Sequence, residues 1–426
     1  MEICLDVWQT IMDNSDIITQ LSLSSTCKSF YLNLKIYRFD CEKSKPEILS
    51  TIRFNRLKAL KASNDRVEQC HIEGLNLVEL NARNNVKITS VAWMTRLEKL
   101  DCRWRCGIDQ KGIEGLNLKN LTASDNPKIT SVGWMTRLEK LYCGWNSGID
   151  QKGLEGLNLK KLYARDNPKI TSVVWMTRLE NLYCSWNCGI DQKGIEGLNL
   201  KKLDADGNVK ITNVGWMTRL ENLDCRLCSA IDQKGIEGLN LKNLIASGNP
   251  KVTSVGWMTR LEKLDCSCDN EWDCGIDQKG IEGLNLKKLY AGDNSKVTSV
   301  GRMTRLEKLD CSGLYCGINQ KGIEGLNLKK LYADDNPKIT SVNWMTRLEK
   351  IECSYNCGID QKAIDGLNLK QLYARDNPKI TSVSWMTRLE KLDCSWRCGI
   401  DQKGIEGLNL KYLHASGNDK ILSMSE

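Results

Sequence analysis

The chain has 426 residues, of which 41% are hydrophobic and 27% are charged, and its formal net charge is +8. This composition excludes an intrinsically disordered chain. No apolar run approaches the roughly 18 residues that a membrane span needs, and "MEICLDVWQT" lacks the basic and apolar regions of a signal peptide. We therefore expect a cytoplasmic protein without membrane contact, whose 20 cysteines are thiols.

The first 34 residues are predicted to form three short amphipathic helices. Apolar residues recur with helical spacing at Val7, Trp8 and Ile11, then at Ile17, Ile18 and Leu21, and then at Leu23, Cys27 and Phe30. The stretches "DVWQTI" (6–11) and "DIITQLSLSSTCKSF" (16–30) resemble an F-box, although Cys4 stands where that family usually has Pro.

The F-box resemblance implies a partner, the Skp1 adaptor of a cullin–RING (SCF-type) ubiquitin ligase. It places these residues against the adaptor: Ile3, Cys4, Leu5, Val7, Trp8, Ile11, Leu21 and Leu23. The alternative is that the helices only cap the first edge of the repeats that follow. We expect residues 1–40 to form the motif, 41–55 to form a linker and N-terminal cap, and 56–426 to form the repeats.

From residue 56 onward the sequence is periodic. The segment "KITSVGWMTRLEKLYC" (128–143) recurs with small changes, and the marker "GLNL" returns at steps of 41 residues, with two irregular steps near 266–316. Each period splits into two similar halves, such as "LKNLTASDNPKIT" (118–130) and "LEKLYCGWNSGID" (138–150). Both halves follow L-x-x-L-x-(small)-x-x-N-x-x-I, which resembles the leucine-rich repeat.

The spacing within one half supports the fold that this resemblance implies. Leu121 and Ala123 alternate with polar residues, which is typical of a strand with one buried face. A repeat of 20–21 residues has no room for a full crossover helix, so turns and short 3₁₀ helices should return the chain. We predict an α+β chain, with a leucine-rich-repeat solenoid that has a parallel β-sheet on its concave face and follows the F-box-like helices.

Three residue types are predicted to be structural. The asparagine at the ninth position of the nine "GLNL"-type halves should bond backbone groups beside the strand. The tryptophans of "WMT" should form a core or half-buried row that fills the space beside Ala123, Cys143 and their equivalents. The cysteines at that small position should be buried thiols that lie too far apart to cross-link.

Charge alternates along the predicted sheet. Lys119 and Lys160 occupy the second position of one type of half, and Glu98 and Glu139 occupy it in the other. Neighbouring strands should therefore pair Lys with Glu. A nucleic-acid groove would need basic rows without interleaved acids, which makes that partner the weakest candidate.

The outward positions vary most, and one cluster is a candidate target-binding site. Tyr142, Tyr163 and Tyr183 should lie about 4.8 Å apart on adjacent strands. Arg165 should stand beside them, with Trp145 and Trp186 at the strand ends. Tyr, Trp and Arg dominate protein interfaces, while the alternative is that tyrosines are simply good strand formers.

No catalytic, cofactor or metal motif stands out. The chain has only 2 histidines, and "CSCDNEWDC" (266–274) lacks a paired C-x-x-C. We predict a non-enzymatic recognition subunit that binds Skp1 and an unknown protein target, without a cofactor, a metal or an obligate homo-oligomer. A stand-alone interaction scaffold or decoy is the alternative. Proteins with an F-box and near-identical repeats are similar to those of large DNA viruses of amoebae, which would place the chain in a host cytosol or nucleus.

Overall fold

The computed structural model describes residues 36–41, 46, 49, 57–63, 65–227, 230–268 and 273–421. The chain divides into two compact units, Met1–Leu200 and Lys201–Glu426. The predicted adaptor-binding residues, from Ile3 to Leu23, lie outside the described residues.

The first unit contains a parallel β-sheet in which each strand pairs with the next strand along the chain. Each strand has three residues, because only the central Leu or Phe and the small residue that follows the strand are turned into the core. The strands are β1 (Arg38–Asp40), β2 (Ala59–Lys61), β3 (Glu79–Asn81), β4 (Lys99–Asp101), β5 (Asn120–Thr122), β6 (Lys140–Tyr142), β7 (Lys161–Tyr163) and β8 (Asn181–Tyr183).

The second unit repeats this arrangement, again with parallel pairing of successive strands. Equivalent positions stay in register, so that leucine faces leucine along the interior. The strands are β9 (Lys202–Asp204), β10 (Asn222–Asp224), β11 (Asn243–Ile245), β12 (Lys263–Asp265), β13 (Lys288–Tyr290), β14 (Lys308–Asp310), β15 (Lys330–Tyr332), β16 (Lys350–Glu352), β17 (Gln371–Tyr373), β18 (Lys391–Asp393) and β19 (Tyr412–His414).

The return segments are turns and single 3₁₀ turns, as predicted. A short α-helix occupies the first of them, and 3₁₀ helices occupy later ones. They are α1 (Gln69–Ile72), η1 (Lys111–Ile113), η2 (Lys152–Leu154), η3 (Lys193–Ile195), η4 (Lys234–Ile236), η5 (Lys279–Ile281), η6 (Lys321–Ile323), η7 (Lys362–Ile364) and η8 (Lys403–Ile405).

Side chains of the return segment fix each 3₁₀ turn. Asp150 Oδ1 accepts a hydrogen bond from Gly153 N at 2.8 Å, and Gln151 Oε1 accepts from Thr171 N and Ser172 N of the next half. Gly148 has no room for a side chain, because a Cβ there would lie 2.4 Å from the carbonyl oxygens of Pro127 and Ile129. Each unit is thus a parallel β-solenoid of the leucine-rich-repeat type.

The predicted asparagine ladder is confirmed. Asn167 is buried, and its Nδ2 donates to the carbonyls of Cys143 at 2.7 Å and Ile149 at 3.0 Å, while its Oδ1 accepts from Lys169 N at 3.1 Å. The same pair of donated bonds is made by Asn85, Asn126, Asn249, Asn294, Asn336, Asn377 and Asn418.

The tryptophans of "WMT" are half-buried or exposed, and the expectation that they fill the space beside the small residues is wrong. Trp134 Nε1 donates to the carbonyl of Leu116 in the preceding half, and Trp175 Nε1 donates in the same way to Leu157. The indole needs this partner for its N–H, which holds it at the surface. The following methionine, Met135 or Met176, is fully buried instead.

The inward cysteines are buried free thiols, as predicted, and they are Cys102, Cys143, Cys184, Cys225, Cys266, Cys311, Cys353 and Cys394. Cys268 and Cys274 are joined by a disulfide, so the expectation that every cysteine is a thiol is wrong. The two Cα atoms lie 5.5 Å apart, within the reach of a disulfide.

Candidate protein-binding surface

Tyr142, Tyr163 and Tyr183, called the tyrosine stack below, lie side by side on β6, β7 and β8 in the first unit. They are direct partners in the strand register. The ring centroids of Tyr142 and Tyr163 are 3.9 Å apart, and those of Tyr163 and Tyr183 are 4.0 Å apart. The rings cover one another, so the tyrosines are half-buried rather than exposed, and they present their edges and hydroxyls to the surroundings.

The hydroxyls of the stack form a polar row. Burial raises the pKa of Tyr163 well above its ordinary value, and its hydrogen bonds with Tyr183 and Tyr142 raise it further. The Tyr163 phenol is therefore uncharged at physiological pH. Each phenol has one O–H to donate, so the two hydrogen bonds within the row leave one O–H for a partner.

A lysine lies against the stack. Lys140 Nζ lies 4.8 Å from the ring centroid of Tyr142 and 5.5 Å from that of Tyr163, which is cation–π distance. Lys161 is its direct neighbour on β7 and lies two residues before Tyr163, on the same face of the strand. Among the described residues, neither lysine forms an ion pair with a carboxylate.

Trp145, Arg165 and Trp186, called the arginine sandwich below, lie just past the ends of the same strands. The guanidinium carbon of Arg165 lies 5.8 Å from the ring of Trp145 and 5.5 Å from that of Trp186. The two tryptophans are 57% and 43% exposed. The arrangement leaves two broad indole surfaces open on either side of one cation.

The backbone of both tryptophans is left-handed, with φ of 49° at Trp145 and 58° at Trp186. Asp125 and Asp166 occupy the equivalent position in the intervening halves, also with positive φ. Aspartate tolerates this conformation, whereas other residues with a Cβ pay roughly 1–2 kcal/mol for it. A bulky residue in a strained conformation at a surface is typical of a functional position.

The structure thus brings together all six residues that the sequence singles out for target binding. Sequence reasoning did not include Lys140 and Lys161 in this site. The signal was present, because the fifth position of β6, β7 and β8 carries tyrosine instead of aspartate.

The second unit has a related surface with a different charge pattern. Tyr290, Tyr332 and Tyr373 are separated in the register by Asp310 and Glu352. Their rings do not stack; two lysines fill the gaps instead. Lys308 Nζ lies 4.6 Å from the Tyr290 ring and 4.3 Å from the Tyr332 ring, and Lys350 Nζ lies 2.7 Å from Glu352.

A second arginine sandwich in this unit was also missed. Arg375 lies 5.6 Å from the ring of Tyr355 and 5.4 Å from that of Trp396. The signal is the spacing in the sequence, because an aromatic residue, an arginine and an aromatic residue recur at the positions of Trp145, Arg165 and Trp186.

Lysine and glutamate alternate along the strand starts, as predicted. Glu139 accepts from Lys160 at 2.9 Å, and this hydrogen bond lowers the pKa of the carboxyl. The equivalent pairs are Lys119–Glu98, Lys242–Glu221, Lys287–Glu262, Lys329–Glu307, Lys370–Glu349 and Lys411–Glu390. This charge is neutralised within the protein.

Cys268, Asp273 and Cys274 are the described residues whose ligand atoms cluster closely enough to hold a metal ion. In the structure the two sulfurs are joined as a disulfide, and Lys296 Nζ pairs with the Asp273 carboxylate at 2.9 Å. A disulfide supplies no thiolate ligand. This arrangement is a cross-linked loop with an ion pair.

No family model matches the chain, and no curated protein matches it in sequence. Solved structures with a similar fold include TLR13 in its complex with ssRNA13, with 15% identity, 91% of this chain and 75% of that chain covered, and a TM-score of 0.48. The functional domain of InlJ from Listeria monocytogenes, which includes a cysteine ladder, has 20% identity, coverage of 84% and 68%, and a TM-score of 0.33.

A third similar structure is Rad7 in complex with Elc1 from yeast, with 14% identity, coverage of 86% of this chain and 94% of that chain, and a TM-score of 0.39. The fold of the present chain is established by its own strand register and asparagine ladder. Within the described residues, no helix is long and apolar enough to cross a membrane.

Proposed function

We propose that this protein is an interaction scaffold that binds a protein partner through the tyrosine stack and the arginine sandwich. The observation that carries the proposal is the arginine sandwich. Its two indoles are held open to the surroundings in a left-handed backbone, beside a cation and on the same three strands as the tyrosines. The left-handed turn recurs along the repeats, but the turn does not require an indole at that position or an arginine between two indoles.

The surface suits a contact centre for energetic reasons. Stacked tyrosines and a sandwiched arginine are already ordered, so a partner would not have to immobilise them. Tyr, Trp and Arg are also the side chains whose truncation costs most at protein interfaces.

The N-terminal segment adds a specific role to this proposal. With residues 1–40 as an F-box-like motif, 41–55 as linker and cap, and 56–426 as repeats, the chain would be the substrate-recognition adaptor of an SCF-type ligase. Skp1 would bind the motif, and the repeats would bind the protein to be ubiquitinated in the cytosol. If the N-terminus is only a cap, the chain is a stand-alone scaffold or decoy that uses the same surface.

Matched triple substitutions in the full chain test the proposed target-binding surface. We expect Tyr142→Ser, Tyr163→Ser and Tyr183→Ser together to weaken capture of the protein partner by about 2 kcal/mol or more. Tyr290→Ser, Tyr332→Ser and Tyr373→Ser together should weaken capture less, because Asp310 and Glu352 separate these three rings in the strand register.

Circular dichroism and urea titration of both variants separate binding from folding, since loss of the stack also removes ring contacts. Equal losses of capture at both surfaces, or no loss at either, would contradict the proposed site.

The double substitution Trp8→Ala and Ile11→Ala tests the proposed binding of Skp1. This pair should abolish co-purification of Skp1, because apolar anchors of this size contribute several kcal/mol to an interface. The circular dichroism of the repeats should not change. If the unaltered chain does not retain Skp1, the ligase form is wrong and the stand-alone scaffold stays.

A further inference from the structure

We infer that the partner segment held by this surface is an acidic peptide, an extended stretch of chain that carries Asp or Glu side chains. The inference rests on the proposed function, and it names the chemistry of the partner. Its basis is a local excess of positive charge that the protein does not neutralise.

Lys140 and Lys161 are direct neighbours across β6 and β7, a placement in which like charges repel. Within the described residues, no carboxylate pairs with either of them. Arg165 adds a third cation at the end of β7, and its ion pair with Asp166 is long, at 3.4 Å. A carboxylate from a partner would relieve this repulsion.

The nearby acids are otherwise engaged or lie at the strand ends. Asp125 accepts a hydrogen bond from Asn146 Nδ2 at 3.3 Å. The fifth position, which faces the partner side, is Thr122 on β5 and then tyrosine on β6, β7 and β8. No carboxylate of these strands therefore stands between a partner and the two lysines.

The second unit carries acids on the same surface, which β5 to β8 of the first unit do not. Lys350 is paired with Glu352 at 2.7 Å, and Asp310 follows Lys308 on its own strand. Burial raises the pKa of Asp310, and Lys308 counteracts that effect. The fifth position of β5 to β8 holds no carboxylate, so the carboxylate nearest to Lys140 and Lys161 on this face would come from the partner.

The tyrosine hydroxyls add to the preference for carboxylates. Tyr163 is protonated, because burial raises its pKa. The one O–H that the two hydrogen bonds of the row leave over can donate to a carboxylate in a strong charge-assisted hydrogen bond. A segment that follows the stack would meet lysine ammonium groups on one side, hydroxyls in the middle and the Arg165 guanidinium on the other.

A nucleic acid fits this surface less well. Bases bind aromatic side chains by stacking on open ring faces. The tyrosine faces are closed against one another at 3.9 and 4.0 Å, which leaves only the two indoles of the arginine sandwich for stacking on this surface. The cations are few, and Asp125 and Asp166 border them at the strand ends. A phosphate backbone needs a continuous basic track.

The test measures binding of labelled peptides to the full chain by fluorescence anisotropy. One peptide alternates Glu with Ser, and its control alternates Gln with Ser. We expect the Glu peptide to bind at least about tenfold more tightly at low salt and to lose that advantage as salt screens the charges. Lys140→Gln with Lys161→Gln should lower its affinity about tenfold, whereas the control pair Lys329→Gln with Lys370→Gln, whose ammonium groups are paired with Glu307 and Glu349, should change it by less than about twofold.

Other outcomes overturn the inference. Equal binding of the Glu and Gln peptides, or equal effects of the two lysine pairs, would remove the charge argument. So would displacement of the Glu peptide by oligouridylate at lower concentration than by unlabelled peptide, which would favour single-stranded RNA. If partner capture depends on the tyrosines but not on Lys140 and Lys161, the proposed function stands and the acidic partner is wrong; if it depends on neither, both are wrong.

Discussion

Replacement of Asn167 by alanine should destabilise the first unit strongly, because this side chain connects three stretches of backbone. Its amide donates to the carbonyls of Cys143 and Ile149, and its oxygen accepts from Lys169 N. The side chain is 2% exposed, so water cannot replace these partners. With about 1 kcal/mol for each lost hydrogen bond and more for polar groups left buried, the cost should be about 3–5 kcal/mol.

Asn158 provides a control within the same repeat. It also makes two hydrogen bonds, one to Thr177 Oγ1 at 3.2 Å and one from Arg178 N at 2.9 Å, but it is exposed. Asn158→Ala should therefore cost less than about 1 kcal/mol, since water can take over both bonds. Urea titration of both variants, followed by circular dichroism, measures the difference. Equal costs would show that the buried asparagines do not hold the solenoid together.

Two further predictions concern titratable groups. Burial raises the pKa of Asp334 to about 6, so its contribution to stability is present at low pH and is lost as the pH rises from about 4 to about 6. Asp334→Asn should raise the free energy of unfolding by up to about 3 kcal/mol near pH 7.5 and change it little near pH 3.5. An equal effect at both pH values would show that the pKa of Asp334 is not raised in the folded protein. Burial raises the pKa of Cys106 and Cys316 to about 11. Iodoacetamide near pH 8 should therefore modify the exposed Cys70 and leave Cys106 and Cys316 unmodified, as mass spectrometry of the digested protein would show. Equally fast modification of the three cysteines would contradict the burial of Cys106 and Cys316.

The fold could be predicted because the sequence repeats. Leucine and a small residue keep fixed positions in the halves, and Asn keeps its position in the "GLNL"-type halves, so register, strand direction and the asparagine bonds follow from one 41-residue period. The tryptophans of "WMT" could not be placed in the same way. An aromatic residue in a return segment can lie in the core or at the surface, and the sequence pattern is the same in both cases. The hydrogen bond from Trp134 Nε1 to the carbonyl of Leu116 holds this side chain at the surface.

The candidate site was predictable in position and less so in chemistry. Strand register alone places Tyr142, Tyr163 and Tyr183 together. Their face-to-face stacking and the placement of Lys140 against the rings depend on side-chain rotamers, which a repeat pattern does not contain. The disulfide of Cys268 and Cys274 depends on the path of an irregular half, for which no other repeat serves as a guide.

The most direct test of the central claim is site-specific photo-crosslinking in the first unit. Trp145→p-benzoylphenylalanine places the crosslinker at the arginine sandwich, and Trp134→p-benzoylphenylalanine places it on another exposed tryptophan, which belongs to a return segment. We expect a covalent adduct with the protein partner from position 145 and none from position 134. Adducts from position 134 alone, or equal yields from both, would show that the partner does not bind through the tyrosine stack and the arginine sandwich.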